Sequence, residues 1–381
     1  MTDPTRLRER MVHDLDGARE LDRAWRDAML AVPRHAFIPD TIWRYQGNDL
    51  VPFRRSDNPG RWLALAYGSG HVITQVDDGR PAGPGMTGRQ VSSSAPQPGI
   101  IALMLTALDA QPGMTVCEIG TGTGYNAALL AARLGAANIT TIEVDDQVAE
   151  QARRALATAG YPVLVVTGDG ARGHPPRAPY DRIIATVAAP RVPYPWIAQT
   201  RPGGRVLTPW ATRYRSAGLL SLTVGDDGTA TGALVNNTVS FMWLRDQRIT
   251  PVRDVRPYVN DTTSAVVSHT DLHPYAVFGD DDASFAIAQR VPRCEAIYRP
   301  ATDGSGHYTV WFIDPASRSW ASIDCQPGAD TFPVRQRGPR QLWHEVRDAH
   351  HWWVDAGSPT VNQWTFTVTP HGQHIALSQL I

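Results

Sequence analysis

Residues 116–135 read VCEIGTGTGYNAALLAARLG. A short β-branched run carries Glu118 near its end, glycines follow at 120, 122 and 124, and an alanine-rich helical stretch comes next. Glycines at alternate places let the backbone approach a ligand closely at a strand-to-helix turn. A dinucleotide fingerprint requires G-x-G-x-x-G, but its third glycine position is Tyr125 here. The spacing E-x-G-x-G-x-G suits S-adenosylmethionine (SAM) better. That molecule has no pyrophosphate to seat at a helix N-terminus, but it has a ribose and an amino-acid tail to accommodate.

Working outward, β-branched runs at 115–119, 139–144, 163–167, 182–185 and 205–208 alternate with helical stretches such as 127–134 and 148–159. This alternation predicts an α/β fold, Rossmann-like, with a mostly parallel sheet and helices on both faces. The run ITTIE ends in Glu143, about twenty residues past the glycines, where a carboxylate can accept from both ribose hydroxyls. The next run ends in VVTGDG and puts Asp169 at the same sheet edge, within reach of an adenine amino group. Runs at 219–224 and 235–244 surround GDDGTA and predict an antiparallel pair closing the sheet. Before the sheet, residues 4–31 show helical spacing, AVPRHAFIPD (31–40) breaks it at its prolines, and 46–90 suits a long, partly irregular segment. From 249 the character changes: 249–381 holds half of the twelve tryptophans, with strand-like pieces such as HYTVWFI and WTFTVT. It reads as a C-terminal α+β domain.

Composition removes several classes. The chain has 381 residues and a net charge of -1, so no basic field points to nucleic acid or an anionic membrane. The charged first twenty residues lack a signal peptide's apolar stretch, and no run of eighteen apolar residues occurs. Cys117, Cys294 and Cys325 are scattered and odd in number, which predicts a reducing, cytoplasmic setting without a disulfide framework. All 36 basic residues are arginine. Schiff-base chemistry, lysine-bound pyridoxal phosphate and a Walker A loop are therefore excluded. The histidines, His269 and His273 among them, lack a convincing helix or a third ligand, and no metal site is expected.

Ahead of the glycine run lies RQVSSSAPQPGIIALMLTAL (89–108), three serines and two prolines leading into an apolar helix. Ser93 or Ser94 would serve as an ordinary helix cap. Yet AVPRHAFIP, VSSSAPQP, VCEIGTGTGYNAALLA, TIEVDDQVAEQA, GDGARGHPPRAPYDRIIATVAAPRVPYPWI and RPGGRVLTPW, in this order, resemble the protein-L-isoaspartate O-methyltransferase family over roughly 31–248. The resemblance implies a SAM-dependent methyltransferase domain at 91–248, with 1–90 packed on it and 249–381 recognising substrate. It assigns Ser94 as the catalytic hydroxyl beside the acceptor carboxylate. It places Val91, Ser92, Ser93, Glu118, Gly120, Thr121, Gly122, Gly124, Glu143, Val144, Asp169, Gly170 and Thr186 around SAM, and Ser94, Gln97, Val187, Ala188, Ala189 and Pro190 around the acceptor. The chemistry agrees, because a carboxylate is already an anion at neutral pH and needs positioning more than a strong base.

There are departures. Gln97–Pro98–Gly99 and Trp210 differ from the family's usual residues, HVITQVDDGRPAGPGMTG precedes the serines as a long insertion, and 249–381 is expected to have no counterpart in the ordinary repair enzyme. The layout resembles the subgroup that accompanies ribosomally made, modified peptides such as ATP-grasp-crosslinked (graspetide) or lanthionine peptides. That implies a precyclised peptide partner and methylation of a normal aspartate, leading to succinimide and isoaspartate. General repair of isoaspartate (or D-aspartate) in damaged proteins is the alternative, and a non-catalytic peptide-binding protein on the same fold is a third.

Overall fold

The structure is a computed structural model, and it describes residues 3–18, 21–80, 85–215, 218–259 and 264–378. The chain opens with α1 (Pro4–Gly17) and α2 (Arg23–Ala31). The helical spacing over 4–31 is thus cut in two, with the Asp22 carboxylate capping the second helix through the amide of Ala24 at 2.9 Å. The segment expected to be partly irregular contributes regular elements among its described residues. Strands β1 (Thr41–Gln46), β2 (Asp49–Arg54), β3 (Val72–Val76) and β4 (Val91–Ala95) form an antiparallel sheet in the order β2-β1-β3-β4, and α3 (Pro59–Ala66) lies between β2 and β3 in sequence. The insertion therefore contributes β3, and β3 pairs with β4, the strand that bears the three serines.

The main sheet follows α4 (Pro98–Leu108). Its parallel part is β5 (Val116–Ile119), β6 (Ile139–Glu143), β7 (Leu164–Thr167), β8 (Tyr180–Ala185) and β9 (Thr200–Pro209), with α5 (Tyr125–Leu134), α6 (Asp146–Thr158) and the short α7 (Tyr194–Ala198) as connections. All four residues of β5 are buried, as a central strand covered on both faces requires. β5 sits between β6 and β8, so the winding direction reverses there, at the place where sheets of this kind take their ligands. The antiparallel pair is β10 (Leu219–Val224) with β11 (Ala230–Asn236). The second member is not 235–244: the turn closes by the amide of Gly225 on the carbonyl of Thr229 at 2.8 Å, which pins the register early. Residues 237–244 leave the sheet and touch it again by a bridge from Trp243 to Ala188.

A five-stranded antiparallel sheet follows, from β12 (Val266–Thr270), β13 (Glu295–Pro300), β14 (Tyr308–Asp314), β15 (Ser319–Cys325) and β16 (Phe332–Arg337). Its helices are α8 (Tyr275–Phe278), α9 (Asp281–Arg290) and α10 (Leu342–Asp355). The chain then returns, and β17 (Trp364–Thr369) with β18 (Gly372–Leu377) extends the main sheet beside β11. Trp364, Phe366 and Val368, alternate residues of β17, share one core with Trp210, Leu220, Leu222, Phe285 and Trp353. The C-terminal α+β part is therefore joined to the main sheet by both a core and a hairpin. Among the described residues, no helix is long and apolar enough to cross a membrane.

Candidate active site

The carboxyl ends of β5, β6 and β7 open on a cavity of about 570 Å³. The turn after β5 carries Gly120, Gly122 and Gly124 at φ +92°, +53° and +86°, conformations that L side chains rarely adopt. Their surroundings differ. A Cβ at Gly120 would stand 2.9 Å from the Thr186 hydroxyl oxygen, and one at Gly124 would stand 3.2 Å from Leu156 of α6. At Gly122 the nearest atom would be the carbonyl oxygen of Ser94, at 3.8 Å. Gly122 is the glycine whose missing side chain leaves room for something else.

Two acidic residues brace this turn. The Glu143 carboxylate accepts from the amide of Gly122 at 2.9 Å and from that of Asp145 at 3.2 Å, and burial raises its pKa above the usual range. Glu118 is fully buried. Its oxygens accept from the Asn126 amide nitrogen at 2.7 Å and the Thr141 hydroxyl at 2.5 Å, which clamps α5 and β6 to β5. Burial pushes its pKa up to about 7. A carboxyl whose folded pKa lies above its unfolded value of about 4.3 stabilises the protein at low pH and loses that contribution as pH rises through 7. Glu118→Gln should therefore gain stability relative to wild type by roughly 2 kcal/mol between pH 5.5 and 8.5. Urea unfolding at both pH values measures this; a pH-independent difference would show that Glu118 is not held protonated.

Twelve of the thirteen residues expected around the cofactor lie on the cavity wall: Val91, Ser92, Ser93, Glu118, Gly120, Thr121, Gly122, Glu143, Val144, Asp169, Gly170 and Thr186. Gly124 does not, because it is spent on close packing of the turn against α6. Asp169 is exposed and accepts from the amide of Ala171 at 2.9 Å. Gly170 is buried, and a Cβ there would stand 2.6 Å from Ile119.

The serines lie on a strand, and the helix cap is Gln97, with Pro98 in the first turn. Ser92 donates to Gln75 at 2.8 Å and accepts from the amide of Asp78 at 3.0 Å, while Ser93 accepts from Thr74 at 3.2 Å. Ser94 lies on the cavity wall, and its hydroxyl makes no hydrogen bond among the described residues.

The residues expected around the acceptor are brought together only in part. Val187 lines the cavity, but Ala188, Ala189, Pro190 and Gln97 do not. Ala188 is bound through its amide to Met242 and through its carbonyl to Leu244, and Pro190 accepts from the Trp210 indole at 3.0 Å. This segment supports the wall that residues 241–246 provide. Trp210 itself is buried and off the cavity wall, its ring 5.4 Å from Phe285 and 5.2 Å from Phe366, so this departure packs against the C-terminal part. The lining residues that were missed include Thr212, Arg213, Phe241, Trp243, Arg245, Arg248, Ile249, Pro251 and Glu295. No spacing in the sequence marked them. The insertion also reaches this side: Asp78 takes both terminal nitrogens of Arg248, at 3.0 and 2.9 Å, which holds its carboxyl below the usual range.

Residues 84–246 match the model of a family described as protein-L-isoaspartate(D-aspartate) O-methyltransferase. A protein-L-isoaspartate O-methyltransferase of Hyperthermus butylicus is 38% identical over 172 residues, which are 42% of this chain and 57% of that protein. One of Methanoculleus marisnigri is 36% identical over 190 residues, 49% of this chain and 70% of that protein. The chain thus spans less than two thirds of the first of these relatives. A solved structure titled protein-L-isoaspartate O-methyltransferase superposes with a TM-score of 0.54 at 20% identity, covering 97% of this chain and 99% of its own. Residues 249–381 therefore do have a fold-level counterpart under that title, contrary to the expectation from sequence.

Proposed function

This chain belongs to the protein-L-isoaspartate(D-aspartate) O-methyltransferase family, and on that premise we propose that it methylates an aspartyl-derived carboxylate of a peptide or protein. Its fold is that of the Rossmann-like SAM-dependent methyltransferases and its cofactor is SAM. The residues present fit that molecule. Gly122 leaves space beside Ser94, Glu143 stands next to it for the ribose, and Asp169 lies at the following strand end for the adenine. The Tyr125 hydroxyl and the Asn126 side-chain oxygen, in residues on the cavity wall, are buried without partners among the described residues. When bound, SAM supplies an electrophilic methyl group on its sulfonium.

The observation that carries the reading is Ser94, whose uncommitted hydroxyl shares the cavity with the glycine turn. It donates a hydrogen bond to one oxygen of the acceptor carboxylate and so orients an anion that needs no base. The ester so formed has a methoxide leaving group. Attack by the following backbone amide nitrogen, which loses its proton, expels methanol and leaves a succinimide. Water then opens that ring to aspartate or isoaspartate.

Within this activity, we take the acceptor to be a normal aspartate of a modified ribosomal peptide. The supporting observation is that Arg248, Ile249, Pro251 and Glu295, which line the acceptor end, all lie outside the family-matched segment. General isoaspartate repair is the second reading, favoured by the full-length fold match. Mass spectrometry with SAM on a precyclised precursor peptide and on an isoaspartyl test peptide separates them. The specialised reading expects one added methylene and then a net loss of one water, on the precursor. Turnover of the isoaspartyl peptide alone overturns it, and turnover of neither leaves a binding protein.

A further inference from the structure

We infer that Arg213 holds a carboxylate of the substrate at the acceptor end of the cavity, with Glu295 fixing its guanidinium from the other side. The inference rests on the activity proposed above and names the group by which that site recognises its substrate. Arg213 lies in the loop after β9 of the main sheet, and Glu295 is the first residue of β13 in the C-terminal sheet. Both line the cavity that also contains Ser94 and Gly122. Nη1 of Arg213 donates to Glu295 Oε2 at 3.3 Å and to the carbonyl of Thr250 at 3.4 Å. The other oxygen of Glu295 accepts from the amide of Val252 at 2.9 Å.

The carboxylate of Glu295 is thus engaged at both oxygens, whereas Nε and Nη2 of Arg213 make no hydrogen bond among the described residues. Those two N–H groups share one edge of the planar guanidinium and form the fork that fits a carboxylate through two parallel hydrogen bonds. The other arginines on this wall are differently placed. Both terminal nitrogens of Arg248 face Asp78, and those of Arg245 face Asp78 and Asp145 at 3.6 and 3.5 Å. The Arg213 and Glu295 side chains keep 22% and 12% of their exposure, so the fork lies in a site largely withdrawn from water, where a charge-assisted bond counts for more than on the surface.

A peptide offers two sources for that carboxylate: the acceptor group itself and an acidic side chain beside it. Calorimetry on the full-length protein with S-adenosylhomocysteine distinguishes them, using three end-blocked peptides. One has a single aspartate, one has asparagine in its place, and one has glutamate beside the aspartate. The variant is Arg213→Gln/Glu295→Gln, which removes both charges together and leaves neither buried alone. We expect wild type to bind the aspartate peptide and the variant to bind acidic peptide about ten- to a hundredfold more weakly, with SAM affinity and Tm unchanged. An equal loss on both acidic peptides identifies the acceptor carboxylate; a loss confined to the glutamate peptide identifies the neighbour. A variant that binds every peptide within about twofold of wild type overturns the inference, as does a wild type that binds no acidic peptide. A wild type that binds the aspartate peptide yet transfers no methyl group overturns the proposed activity and leaves this inference standing.

Discussion

Gly122→Val should lose SAM binding by about a hundredfold or more while remaining folded. Two effects act at this position. The backbone holds φ +53°, which a β-branched residue adopts only at a cost of roughly 1–2 kcal/mol. The added methyl groups would also project from a Cβ whose nearest neighbour in the protein is 3.8 Å away, into the space proposed above for the cofactor. Gly122→Ala separates the two, since a single carbon fits that clearance; a loss of about tenfold is expected for it. Gly124→Val is the contrast, because there the added atoms meet Leu156 and the damage falls on the packing of α6. Circular dichroism establishes the fold and calorimetry the affinity. A folded Gly122→Val protein with wild-type affinity would place the cofactor elsewhere.

Ser94→Ala should lower turnover about ten- to a thousandfold, the usual effect of removing one positioning hydrogen-bond donor. SAM affinity should stay within about twofold, and stability within about 0.5 kcal/mol, because the hydroxyl has no partner to lose among the described residues. Ser92→Ala supplies the opposite pattern. Its hydroxyl joins Gln75 and the Asp78 amide, so its loss should loosen the insertion. Single-turnover kinetics with labelled SAM reads the chemical step for each variant. Undiminished turnover in Ser94→Ala would reduce that residue to a bystander on the wall.

The glycine-turn side of the cavity was legible in the sequence because the relevant residues obey local rules. A glycine turn between strand and helix, with carboxylates at the next two strand ends, converges on one sheet edge whenever the strands are parallel and adjacent. Gly120, Gly122, Glu143 and Asp169 follow from that periodicity, and the structure puts each on the cavity wall. Gly124 shares their spacing but packs against α6 and is not on that wall, since the same spacing also serves close helix packing.

The opposite end of the cavity was decided by tertiary structure. Arg213 and Glu295 are 82 residues apart and meet because the C-terminal part packs against the loop that follows β9. Trp210 departs from the family's usual residue, its indole faces Phe285 and Phe366, and no pattern around residue 210 encodes where those rings will lie. The return of β17 to pair with β11 belongs to the same class: the alternation in WTFTVT specifies a strand with one apolar face but not the edge it joins. Backbone periodicity acts over a few residues and can be read in one dimension, whereas the choice of partner depends on which surfaces remain uncovered once the rest of the chain has packed.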